Sequence, residues 1–175
     1  MDTSKPLSVG QMIDLSESKI NVIDYPNLWI YNDLDDLLGA NGACSILYMT
    51  SKNYGHWTLL MRKDSDTIEF FDSYGGDIDS ELNFSEPKYN QIGPYFVPGL
   101  SILFLASKYK QIEYSKTKMQ FMNQNVQTCG KWCLFRYFTR HTSLENFLEI
   151  MSQIPIRERD QEMCSDLLNI LLNNN

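Results

Sequence analysis

Two histidines and four cysteines are all that this chain offers for thiol and imidazole chemistry, and their neighbours set them apart. Cys129 stands in Thr128-Cys129-Gly130, just ahead of Lys131-Trp132-Cys133-Leu134-Phe135-Arg136-Tyr137-Phe138. That run has no Pro or Gly and carries apolar side chains at 132, 133, 135 and 138, which predicts a helix over Lys131 to Arg140 with one buried face. A thiol at a helix N-terminus feels the positive end of the macrodipole, and a nearby cation adds to it. Such sites bring a thiol pKa from about 8.5 toward about 3.5–7.5. The thiolate is the attacking species, so Cys129 is the candidate nucleophile. Cys133 falls one turn later and reads as core, while Cys44 and Cys164 sit among apolar neighbours and read as buried.

His56, in Gly55-His56-Trp57, is the candidate base. The segments Trp57 to Arg62 and Thr67 to Phe71 read as two strands joined by the polar turn Lys63-Asp64-Ser65-Asp66. If they pair antiparallel, His56 at the start of one and Asp72 at the end of the other reach the same edge of the sheet. A carboxylate there fixes the imidazole tautomer and stabilises the imidazolium, the third role beside nucleophile and base. Each residue alone has a simpler reading: a small buried thiol, a sheet-edge histidine, a turn-forming aspartate. Their order and their placement at strand ends argue against coincidence. His141, in Arg140-His141-Thr142-Ser143, reads as a cation compensating a helix C-terminus.

Together, Gly55-His56-Trp57, Phe70-Phe71-Asp72-Ser73-Tyr74-Gly75, the glutamines Gln120 and Gln124, and Thr128-Cys129-Gly130 resemble the adenain-like and SUMO-deconjugating (Ulp) cysteine peptidases. The resemblance is nearest to the short single-domain forms of giant-virus, virophage and Polinton-like double-stranded DNA viruses, and it spans nearly the whole chain. It implies a papain-like or adenain-like α+β fold, with a central mixed sheet flanked by helices and the nucleophile at a helix N-terminus. It implies His56 as base, Asp72 as orienting acid and Cys129 as nucleophile, with Trp57 matching the aromatic that follows the histidine. A glutamine before the cysteine supplies an oxyanion-hole amide in this family, usually six or seven residues ahead, where this chain has Asn123 and Met122. Gln120 is the preferred match because the family's glutamine follows a strand, here expected over Ile112 to Gln120; Gln124 and Asn123 stay open. Trp57 and Trp132 are candidate walls of a narrow groove that favours small residues before the cut bond.

The implied function is a thiol endopeptidase that matures capsid or core precursor polypeptides, with no cofactor or metal, in the virion and in the virus factory of the host cytoplasm. DNA or an activating peptide is a possible further partner by the same resemblance. A SUMO or ubiquitin-like deconjugating isopeptidase uses the same triad and is the alternative. A module holding zinc through Cys129, Cys133, His56 or His141 is a second alternative, which the C-x3-C spacing without a further pair disfavours.

Length and composition agree with one compact domain over residues 1–175, since 43% hydrophobic and 13% aromatic residues suffice for a core; with the resemblance this is expected to be a single peptidase domain and a monomer. No stretch reaches the roughly 18–20 apolar residues of a membrane span, and Met1-Asp2-Thr3-Ser4-Lys5 has no signal-peptide h-region. Four cysteines without such a signal point to reduced thiols. The net charge is −7, yet Lys108, Lys110, Lys116, Lys118, Lys131, Arg136 and Arg140 face a single acid, Glu113, between residues 105 and 140. This is read as a solvated basic face, or as a cationic surface on the nucleophile side that steers DNA or an acidic substrate.

Helices are expected over Val9 to Leu15, Asp33 to Leu38, Gly99 to Lys108, 143–152 and 158–172, and strands over Ala43 to Thr50 and Tyr109 to Gln120. Residues 75–98 collect Gly and Pro and predict turns, with at most a short helix near Asp79 to Leu82.

Overall fold

The computed structural model describes residues 1–52, 54–123 and 125–173. One five-stranded mixed sheet runs through the molecule in the order β1-β2-β3-β4-β5. The strands are β1 (Asn21–Asp24), β2 (Ala43–Ser51), β3 (Tyr54–Arg62), β4 (Thr67–Phe71) and β5 (Gln111–Tyr114). The three central strands form an antiparallel meander, and β1 and β5 add to its edges in parallel. Parallel pairing needs a crossover. The first crossover carries a 3-10 segment, Tyr25–Ile30, and helix α2 (Leu34–Leu38); the second runs through two 3-10 turns and α3 (Gly99–Leu105). Helix α1 (Val9–Leu15) opens the chain, and α4 (Cys129–Phe138), α5 (Leu144–Ser152) and α6 (Ile156–Asn173) close it. The molecule is α+β, as the residue pattern predicts.

Strand alternation divides the interior into two cores. Ala43, Leu47, Trp57, Leu59, Met61 and Phe71 point toward α4, α5 and α6. Cys44, Ile46, Tyr48, Leu60, Ile68 and Phe70 point the other way, onto Tyr25, Leu28, Leu34, Leu37 and Leu100. Both faces of the sheet are therefore covered by helices, and Cys129 lies on the α4 side.

The elements differ from expectation at instructive places. The nucleophile helix spans Cys129–Phe138 rather than Lys131 to Arg140, so Gly130 is taken into the first turn and Cys129 is its first residue. The strand expected over Tyr109 to Gln120 is only Gln111–Tyr114. Ser115 ends it by turning its hydroxyl onto the backbone of Asp72, donating to the Asp72 carbonyl and accepting from its N–H, both at 2.9 Å. Edge strand β1 is too short to show a period, and its parallel pairing with β2 is what defines it. The short helix expected near Asp79 to Leu82 is a 3-10 turn, Ser80–Phe84.

Candidate active site

Register places the first two residues. In β2–β3 pairing Tyr48 stands opposite His56, and in β3–β4 pairing Leu59 stands opposite Phe71. Asp72 follows directly where β4 ends, at the strand end that carries His56. The crossing at this edge is tight: a Cβ on Gly55 would sit 1.9 Å from the Tyr48 carbonyl oxygen, so only glycine lets the chain pass here.

His56 Nε2 lies 2.7 Å from Asp72 Oδ1, and both side chains are buried. The same carboxylate accepts the backbone N–H groups of Tyr74 at 2.8 Å and Gly76 at 3.0 Å. A Cβ on Gly76 would approach Asp72 Oδ2 to 2.4 Å, so the second N–H reaches the carboxylate because residue 76 has no side chain. Burial pushes the Asp72 pKa up, but the hydrogen bond and charge of His56, with these two N–H donors, more than offset it and hold the group below the ordinary carboxylate value. The Tyr74 ring stacks on the imidazole at 4.6 Å between centroids and closes the other side of the base.

With Nε2 engaged by Asp72, Nδ1 is the imidazole nitrogen left for Cys129. Burial works against a charged thiolate. The hydrogen bond and charge of His56, helped by the N–H groups of Trp57 and Gly130, outweigh that and hold the Cys129 thiol below its ordinary value. The Trp57 N–H points at the sulfur from 3.5 Å. Burial lowers the basicity of His56 too, yet Asp72 and Cys129 raise its pKa well above the usual imidazole value. The pair therefore favours thiolate and imidazolium. Burial instead pushes the thiols of Cys44, Cys133 and Cys164 up, and all four cysteines are free.

Gln120 is brought to the same place, though not by the end of a strand. Its backbone N–H and that of Met119 both donate to the Ser73 carbonyl, and its Oε1 accepts the Ser73 hydroxyl at 3.0 Å. That orients the amide so that Nε2 carries the free donors, one of which goes to the Val126 carbonyl at 3.2 Å. A cavity of about 280 Å³ is lined by His56, Gln120, Asn123 and Cys129. Gln124, the alternative donor, lies outside the described residues.

No family model matches the sequence. Over 141 residues, 81% of this chain and 80% of the relative, it is 37% identical to uncharacterized protein V9 of Sputnik virophage. The chain belongs to the family of that virophage protein. The name of V9 states no activity, so the relationship brings a viral kinship and leaves chemistry to the site.

In this V9-family chain the two tryptophans are not groove walls of equal standing. Trp132 is fully buried and donates Nε1–H to Asp160 at 2.9 Å, which makes it core. Trp57 is also buried and donates to the Leu7 carbonyl at 2.9 Å; only its edge borders a small cleft beside Gly55. Of the basic run, Lys108, Lys110, Lys116, Lys118 and Arg140 are exposed, Lys108 and Lys116 in surface pairs with Asp35 and Asp77, whereas Lys131 is buried with its ammonium on the Lys5 carbonyl and Arg136 is buried on Glu69. His141 is exposed, three residues beyond the end of α4. Among the described residues neither Cys129 nor Cys133 joins a cluster of three metal-capable side chains.

Sequence reasoning missed three residues. Ser73 sits inside the Asp72 motif and anchors Gln120. Asp160 on α6 gathers the Thr128 hydroxyl, the Trp132 indole and the Phe121 N–H, tying both ends of the loop before Cys129 to one carboxylate. Glu81 lines the cavity from the 3-10 turn after β4. Nothing in local spacing marks Glu81 or Asp160, because each acts through a contact made across the fold.

Proposed function

We propose that this protein is a cysteine endopeptidase with an adenain-like arrangement of its papain-like fold, maturing capsid or core precursor polypeptides of its virus in the virus factory and virion. The observation that carries the reading is Cys129 at the first turn of α4, its thiol held below its ordinary value beside an imidazole that Asp72 grips at 2.7 Å. Ordinary structural cysteines are not built this way.

The chemistry follows from the atoms present. The Cys129 thiolate attacks the peptide carbonyl carbon, and the carbonyl electrons move onto oxygen. The Cys129 backbone N–H and Gln120 Nε2 donate to that oxyanion. Collapse breaks the C–N bond, His56 gives its proton to the departing amine, and a thioester remains. His56, now neutral, takes a proton from water as the water oxygen attacks the thioester carbon; the C–S bond then breaks, the acyl half leaves as a carboxylic acid, and the thiolate and imidazolium are restored. Asp72 holds the ring throughout and stabilises its charged form.

The test is incubation of the purified protein with the capsid and core proteins of its virus, followed by mass mapping of new termini. Discrete new termini should appear, vanish with Cys129→Ala and His56→Ala, and persist at a reduced rate with Asp72→Asn. Identical termini from the Cys129→Ala protein would overturn the reading. Release of a ubiquitin-like protein from a lysine conjugate, with the capsid proteins left intact, would turn it into the isopeptidase.

A further inference from the structure

Glu81 is the one carboxylate among the described residues lining the cavity that holds Cys129; the rest of the lining is neutral apart from the Cys129 and His56 pair. One oxygen of Glu81, one of Asp72 and one nitrogen of His56 all lie within 4.8 Å of one another. Asp72 is saturated by the ring and two N–H groups, whereas no hydrogen bond or ion pair reaches the Glu81 side chain from the described residues. The side chain is only partly exposed.

A half-buried carboxylate without a donor is costly unless something brings one. Lysine and arginine are absent from the lining among the described residues, so none of these supplies a cationic side chain from the wall. The incoming chain can. Glu81 adjoins the imidazole that protonates the leaving amine, which places it on the amine side of the cut bond. Resting on the peptidase reading, we propose that Glu81 is a specificity residue that selects substrates with a lysine or arginine side chain just after the cut bond. An ammonium or guanidinium there completes the cavity's unmatched charge, while an aspartate or glutamate meets repulsion from Glu81 and from the developing oxyanion together. Burial raises the Glu81 pKa, the neighbouring His56 offsets this only in part and Asp72 adds to it, so the carboxyl stays above its ordinary value until a further cation arrives.

The first measurement needs no peptidase activity. Cys129 is modified with a cationic and an anionic methanethiosulfonate of similar size, and the rates are read by mass on the Cys129 peptide. Any change in thiolate content acts on both reagents alike and cancels in the ratio. The cationic reagent should be favoured, and Glu81→Gln should reduce the ratio roughly tenfold, the low end of what a charged cleft does to a local ion concentration. Glu145→Gln, at an exposed position on α5, controls for overall charge and should leave the ratio in place. An unchanged ratio in Glu81→Gln overturns the proposal. A peptide library is the second arm: enrichment of lysine or arginine after the cut, lost in Glu81→Gln, supports it, and an identical profile overturns it. If no peptide is cleaved in a Cys129-dependent way, the peptidase reading fails by itself, and the reagent ratio still decides whether Glu81 selects cations at this thiol.

Discussion

At Cys129 opposing effects meet, and their balance is measurable. Burial raises the thiol and the His56 contact lowers it, with the lowering dominant. The sign is then set: below the depressed thiol pKa the sulfur is protonated and unreactive, and above it the thiolate persists at pH values where free cysteines are still thiols. Iodoacetamide should label Cys129 ahead of Cys44, Cys133 and Cys164, with an inflection on the acid side of ordinary thiols. His56→Ala removes the cation, so the inflection should move to higher pH; an unmoved inflection would show that the helix terminus, not the imidazole, governs the sulfur. Gln120 makes a separate prediction. With Oε1 held by Ser73, its remaining N–H donor faces the cavity, and Gln120→Ala should lower kcat by about 10²–10³-fold with little change in KM, as expected when an oxyanion donor is lost. Equal kcat values would pass that role to the backbone.

Helix α4 must be held at a fixed height for any of this to work, and its clamp is ionic. Arg136, about two turns along from Cys129, sets its guanidinium against both oxygens of Glu69 on β4 at 2.7 Å and donates on to the Thr139 and Thr142 carbonyls. Both side chains are almost wholly buried. Removing one partner strands a charge. Arg136→Leu should therefore destabilise by about 3–5 kcal/mol in urea titration, while the double change Arg136→Leu with Glu69→Leu should recover much of the loss, because the desolvation cost leaves with the pair. If the single and double variants unfold at the same urea concentration, the clamp contributes by shape rather than by charge. At the other end of α4 the Thr128 side chain makes no capping bond to the helix; it turns to Asp160 on α6. The first-turn N–H groups are left uncapped by Thr128, and that of Gly130 serves the sulfur.

Across the whole molecule the sheet separates Cys129 on α4 from half of the core. Leu37 of α2 is fully buried on the face away from α4. Leu37→Ala should lower stability by about 2–5 kcal/mol, with roughly 2–4 °C of melting temperature per kcal/mol for a chain of this size. The Cys129 labelling rate at 20 °C or so, well below the transition, should stay as in the native protein. Altered labelling in a protein of native stability would mean that the two cores communicate through the sheet.

Much was legible before the fold was known, for reasons of range. The β3–β4 hairpin is local, so strand periods and a polar turn suffice to bring His56 and Asp72 to one edge, and the apolar period after Cys129 suffices to place it at a helix start. The resemblance points to Gln120 through the end of a long strand, but the strand stops at Tyr114 and Ser73 holds the side chain instead. The sequence suggests Trp132 as a wall and the fold makes it core, and of the basic run Lys131 and Arg136 are turned inward while the others stay on the surface. A charge or an indole in a sequence has no direction until tertiary contacts assign it one. The same holds for Glu81 and Asp160: composition determined that acids were plentiful, and only the folded chain decided which carboxylates would find donors and which would be left facing the cavity.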